Sequence, residues 1–264
     1  VRDVDGAGIS RVNLIDATPI GVNVRSTVAT YSGVLDELRR AFARTEEAQA
    51  AGLKPGAFSY NTGSLRCPTC DGTGQITLDV QFLPDVDIEC TDCRGSRYGA
   101  RASQIRRDGL SLPDIMAMSV DEARMAVRGL KKAGALLETL AGLGLGYLTL
   151  GEATPALSGG EAQRLKLASE MGRRQDGTLF VFDEPTIGLH PDDVQVLLLN
   201  VLQHLIERGA TVLVIEHDLD LIRCADWVID MGPGGGIEGG RIVAQGTPSD
   251  IMDSEASVTG RYLR

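Results

Sequence analysis

Two runs, TLFVF at 178–182 and TVLVI at 211–215, are too short for helices and too uniformly apolar for strands with one wet face. Between them Val194, Leu197, Leu198, Val201, Leu202 and Leu205 recur at helical spacing. A strand, a helix and a second strand of this kind fold as a parallel unit with buried strands, so the chain after Pro155 is expected to be an α/β layer. A shorter strand at 227–230, the turn-rich GPGGGIEGG and a hairpin strand at 241–246 follow. Upstream, Val34, Leu35, Leu38, Ala41 and Phe42 predict an amphipathic helix over 34–48, ended by AGLKPG at 51–56. The character changes over 60–110 to cysteines, glycines and short alternating stretches. Ser119 and Glu122 form a capping box at a helix start, and 136–148 reads as an apolar helix.

Carboxylates stand where an α/β layer places chemistry. The strand TLFVF runs into Asp183 and Glu184, and ligands of open α/β sheets bind beyond the carboxyl ends of the strands. Asp183 suits magnesium, a hard cation that takes oxygen ligands, and Glu184 suits an attacking water whose proton must be accepted. LSGGEAQ at 157–163 precedes an apolar-periodic run, which puts Ser158, Gly159 and Gly160 at a helix N-terminus. Free backbone N–H groups and the positive end of the helix dipole favour a phosphate there. His217 follows the next strand in TVLVIEH. An anion-binding helix start, a strand with Asp-Glu and a strand with His resemble, in that order, the signature, Walker B and switch histidine of ABC ATPases. His190 is expected in a loop crossing to a partner ATPase half, and His204, within a helix, carries no assignment.

Cys67 and Cys70, then Cys90 and Cys93, form two CxxC pairs with the spacing of a structural zinc site. Four thiolates close the tetrahedron, so the ion is expected to fold a module and not to catalyse. The module is expected to present Phe82 and the arginines that follow Cys93: Arg94, Arg97, Arg101, Arg106 and Arg107. Cys224, alone, reads as a buried hydrophobe. The net charge of −10 argues against nucleic-acid binding driven by the field of the whole chain, so any DNA contact must be local; this arginine cluster could serve, the alternative being an ordinary solvated charged face. No stretch reaches the ~20 apolar residues of a membrane span and no secretory signal opens the chain, which predicts a cytoplasmic protein with reduced thiols and no membrane contact.

CPTCDGTG, VQFLPDVDIECTDCRGSRY, LSGGEAQRLKLASE, FVFDEPTIGLHPDD, VIEHDLDLIRCADWVIDMGPGGG and GTPSDI, in this order, resemble the C-terminal ATPase half of the UvrA family over nearly the whole chain. The resemblance implies an ABC-type ATPase core, an incomplete P-loop NTPase fold of the α/β class, with an inserted four-cysteine zinc module and a helical signature subdomain. It divides the chain into 1–59 (N-terminal part with the Q-loop region), 60–110 (zinc module), 111–160 (signature region) and 161–264 (C-terminal core). It also implies structural Zn2+, and ATP with Mg2+ in the full-length protein. The partners it implies are damaged duplex DNA, UvrB, the N-terminal ATPase half and a second UvrA protomer, in nucleotide excision repair by the excinuclease of the SOS response.

Two departures stand out. No GxxxxGK[ST] occurs, so Walker A is expected upstream of Val1 and the chain alone is expected to be inactive. Ala17 stands where the family's Q-loop has a glutamine, and Val22 where an arginine is usual. Two alternatives follow, a UvrA-like paralogue and a zinc-stabilised binding module with a degenerate ATPase core.

Overall fold

A computed structural model of the chain describes residues 8–21, 23–78, 86–171, 175–186, 199–234 and 239–264. Contacts divide it into two compact units, Ala17–Arg174 and a discontinuous one made of Val1–Asp16 with Gln175–Arg264. Phe82, Val22, His190, Val194, Leu197 and Leu198 lie outside the described residues. Among the described residues no helix is long and apolar enough to cross a membrane.

The first strand, β1 (Arg11–Ile15), belongs to the discontinuous unit. The continuous unit opens with α1 (Val28–Tyr31), capped by Thr27, and α2 (Val34–Phe42). On α2 the apolar stripe is buried, while Asp36 pairs with Arg39 and Glu37 with Arg40 on the wet face. The helix expected over 34–48 is broken in the structure. Thr45 donates its hydroxyl to the Phe42 carbonyl and accepts the Ala48 N–H, which ends one helix and starts α3 (Glu46–Ala50).

The cysteine region carries a short antiparallel pair, β2 (Gln75–Leu78) with β3 (Val86–Glu89), and a two-residue hairpin, β4 (Arg106–Arg107) with β5 (Leu110–Ser111). Helices α4 (Leu112–Met116), α5 (Val120–Ala126), α6 (Lys131–Gly142) and α7 (Gly159–Met171) complete this unit. The expected capping box opens α5: Ser119 Oγ accepts the Glu122 N–H, and Glu122 Oε2 accepts the Ser119 N–H. The helix expected over 136–148 begins earlier, at Lys131, and stops at Gly142. Beyond it the chain folds back, its Gly146 and Leu148 carbonyls accepting the Asp121 and Val120 N–H groups. A Cβ on Gly146 would sit 2.3 Å from Asp121 Oδ2, so a side chain at this return would require the exposed Asp121 carboxylate to turn away.

In the discontinuous unit β6 (Thr178–Asp183) lies between β1 and β7 (Thr211–Ile215), all parallel, with Arg11 opposite Thr178 and Asp183 opposite Ile215. Strand β1 is not among those the sequence pattern predicts, because RVNLI alternates polar and apolar residues and lacks the uniform run of its partners. Phe180 and Phe182 stack on the buried face of the sheet. The expectation of fully buried strands is corrected on the other face, where Val12, Leu14, Leu213 and Ile215 are exposed. Helix α8 (Leu199–Glu207) packs on β7 through buried Val201, Leu202 and Leu205, and α9 (Leu219–Arg223) follows β7. The antiparallel β8 (Val228–Gly232) and β9 (Arg241–Gly246) form the expected hairpin, with α10 (Pro248–Asp253) packed on them and α11 (Val258–Leu263) on α10.

Candidate functional site

At the carboxyl ends of β6 and β7 the register puts Asp183 beside Ile215, so the residues that follow each strand emerge side by side. Asp183 is exposed. Glu184 is held by its own N–H, which donates to the Ile215 carbonyl at 2.9 Å, and its φ of 46° is left-handed. For a residue with a Cβ that conformation costs on the order of 1 kcal/mol, and it turns the chain sharply out of the strand. The Glu184 carboxylate reaches His217, Oε1 lying 3.2 Å from Nε2. Two residues picked separately from the sequence are thus in contact.

Glu216, which sequence reasoning passed over, ties the two loops together. Its Oε1 accepts the Thr186 N–H at 2.9 Å, and its Oε2 accepts those of His217 at 2.7 Å and Asp218 at 3.2 Å. Burial pushes this carboxyl up, but the hydrogen bonds from Thr186, His217 and Asp218 outweigh it and hold the group below the usual carboxylate range. An acidic residue directly before the loop histidine was the available signal.

Ser158, Gly159 and Gly160 stand at the start of α7 as expected. The N–H and hydroxyl of Ser158 both donate to Glu161 Oε2, at 2.6 and 2.7 Å, while Glu161 Oε1 accepts the Tyr147 hydroxyl. Burial raises the Glu161 carboxyl, and the bonds from Tyr147 and Ser158 bring it below its ordinary value. A Cβ on Gly159 would lie 3.1 Å from that of Ala17, so the absence of a side chain there also serves close packing.

Cys67, Cys70, Cys90 and Cys93 are buried, free of disulfides, and have their sulfurs within 4.8 Å of one another. The Cys67–Cys90 and Cys70–Cys93 separations are 3.9 and 3.6 Å. A tetrahedral zinc with Zn–S of about 2.3 Å needs sulfurs about 3.8 Å apart, so the four residues fit that ion. Burial raises the thiols of Cys67 and Cys93. It also pushes Cys70 up, but the Gly74 N–H together with the neighbouring Cys93 and Cys67 thiols brings this thiol down to about 7.

Arg97 departs from the expected surface cluster. Arg94, Arg101 and Arg106 are exposed, whereas Arg97 is 6% exposed, with its guanidinium 5.2 Å from the centre of the Tyr60 ring. Cys224, expected in the core, is exposed, because it ends α9 on the wet side.

No protein-family profile matches the sequence. Similarity to individual proteins is extensive. The chain is 49% identical to UvrABC system protein A of Synechocystis sp. over 97% of its length, and 49% identical to that of Bacillus subtilis over 97%. This chain is homologous to UvrA. In the solved structure of UvrA2 from Deinococcus radiodurans, a segment 44% identical superposes with a TM-score of 0.90 over 98% of the chain. The chain spans 26% and 27% of the two UvrA relatives and 32% of the UvrA2 chain, so the homology is to a part of each.

Proposed function

We propose that the chain is the C-terminal ABC ATPase portion of a UvrA-like protein that recognises damaged DNA in nucleotide excision repair, with ATP turnover gating DNA binding and the loading of UvrB. The observation that supports this best is the Glu184–His217 contact at the carboxyl ends of adjacent parallel strands, in a chain 49% identical to UvrABC system protein A. In this reading Glu184 accepts the proton of the attacking water, and His217 holds the Glu184 carboxylate in place. Asp183 offers an oxygen to magnesium, which supplies charge neutralisation on the phosphates when bound with ATP. Ser158, Gly159 and Gly160 offer N–H donors to the nucleotide of a facing half, once Ser158 is released from Glu161. Residues 60–110 serve as the zinc module and 111–160 as the helical signature region, and a second protomer and the N-terminal ATPase half complete the assembly.

The test is Glu184→Gln in the full-length protein that carries this segment. Nucleotide binding is expected to persist while hydrolysis at this site falls about a hundredfold or more. Unchanged turnover with the other site disabled would overturn the role. Ala17 favours a second reading, a zinc-stabilised DNA- or protein-binding module with no turnover, since its side chain has no oxygen to offer a metal or a water. Measured turnover by the full-length protein separates the ATPase reading from that module.

A further inference from the structure

We propose that Arg97 is the cationic partner of the four-cysteine metal centre and the strut through which the metal orders residues 24–32. Four thiolates around a divalent ion carry a net double negative charge, and a buried charge needs a partner. Arg97 is placed to be that partner from three directions. Its carbonyl accepts the Cys67 N–H at 2.9 Å, which fixes the first knuckle. Its stem passes Gly74, where a Cβ would lie 3.3 Å from Arg97 Cγ, and the Gly74 N–H donates to Cys70 Sγ. The guanidinium is in electrostatic reach of Cys70 and Cys93.

Hydrogen bonding alone does not account for the burial of this cation. Its Nε is buried without a hydrogen-bond partner, and its backbone is left-handed, with φ of 70°. What it does make leads away from the metal. Nη1 donates to the Val24 carbonyl at 2.8 Å, across 73 residues of sequence, and the guanidinium covers the Tyr60 ring. The Tyr60 hydroxyl donates to the Arg25 carbonyl at 2.9 Å and lies 3.0 Å from Thr27 Oγ1, at the cap of α1. The metal knuckles, Arg97, Tyr60 and the segment entering α1 therefore form one connected path. Without the ion, both the knuckle that holds the Arg97 carbonyl and the charge that offsets its burial are lost.

Resting on the zinc assignment and independent of any nucleotide reading, the test compares the 264-residue chain with Arg97→Met and Arg97→Lys in zinc competition against a chromophoric chelator. Arg97→Met is expected to weaken zinc binding by about 10–100-fold. Arg97→Lys keeps the charge but loses the planar stack on Tyr60, and is expected to bind zinc more weakly than the parent and more tightly than Arg97→Met. Cobalt(II)-saturated Arg97→Met is expected to keep the tetrahedral thiolate spectrum, since no ligand is touched. Amides of Val28, Ala29, Tyr31 and Ser32, bonded in the folded chain, are expected to exchange faster in the zinc-stripped parent than in the zinc-loaded one. An Arg97→Met chain with parental zinc affinity overturns the proposal, as does an Arg97→Lys chain as weak as Arg97→Met, or exchange at these amides that ignores the metal. If Arg97→Met fails to fold, Arg97→Lys and the stripped parent decide between the same outcomes. A parent chain that takes up no zinc overturns the metal assignment and this proposal together.

Discussion

Three backbone N–H groups converge on the carboxylate of Glu216, one from the loop after β6 and two from the loop after β7. Glu216→Gln keeps the shape but replaces one acceptor oxygen by a donor, and is expected to destabilise the discontinuous unit by about 1 kcal/mol, a figure that allows for solvent screening of a partly exposed group. Because the folded carboxyl titrates below the usual value of about 4.3, its contribution is complete above about pH 4.3 and is lost as the pH falls through the depressed value. The gap in denaturant midpoint between parent and Glu216→Gln is therefore expected to be constant near neutrality and to close in acid. A gap that does not depend on pH would show that the side chain's shape matters and its charge does not. Glu216 illustrates what the sequence withheld. The clustering of the cysteines and the place of the Asp183-Glu184 pair at a strand end were legible because spacing and strand pattern restrict where they can fall. Glu216, Tyr147 and Arg97 act through partners that only the folded chain brings near.

Elements were legible where periodicity was strong and boundaries were not contested. TLFVF and TVLVI were found as strands within a residue, because uniform apolar runs of that length have few other uses. The helices expected over 34–48 and 136–148 were misdrawn for local reasons: a threonine that caps in mid-run, and a glycine-rich return that pairs with the start of α5. The four-cysteine module was legible as chemistry, and its strands β2 and β3 are nearly bare of core. Ile76 is the partly buried apolar residue packed against the sulfurs, so the ion is expected to supply most of the module's stability. Cys67→Ser, or chelation of the metal, is expected to speed hydrogen exchange in 67–97 while leaving β6 and β7 protected. Loss of protection in those strands would show that the discontinuous unit depends on the metal as well.

At the scale of the whole molecule, the sequence carries stretches resembling ABC ATPase motifs without the loop that binds most of a triphosphate. In P-loop proteins the backbone N–H groups and lysine of Walker A wrap the β- and γ-phosphates, and no GxxxxGK[ST] occurs in these 264 residues. The chain by itself is expected to show no micromolar binding of Mg-ATP by isothermal titration, and tight binding would relocate the source of affinity. The division into units carries a consequence for the order of folding. Ser10 bonds to Gly177 across 167 residues, so the central sheet must close a loop that contains the entire continuous unit. An unfolded loop of that length is entropically expensive to close and slow to search, whereas an insert that has already condensed shortens it. Zinc added at the start of refolding should then hasten the pairing of two strands that never touch the ion.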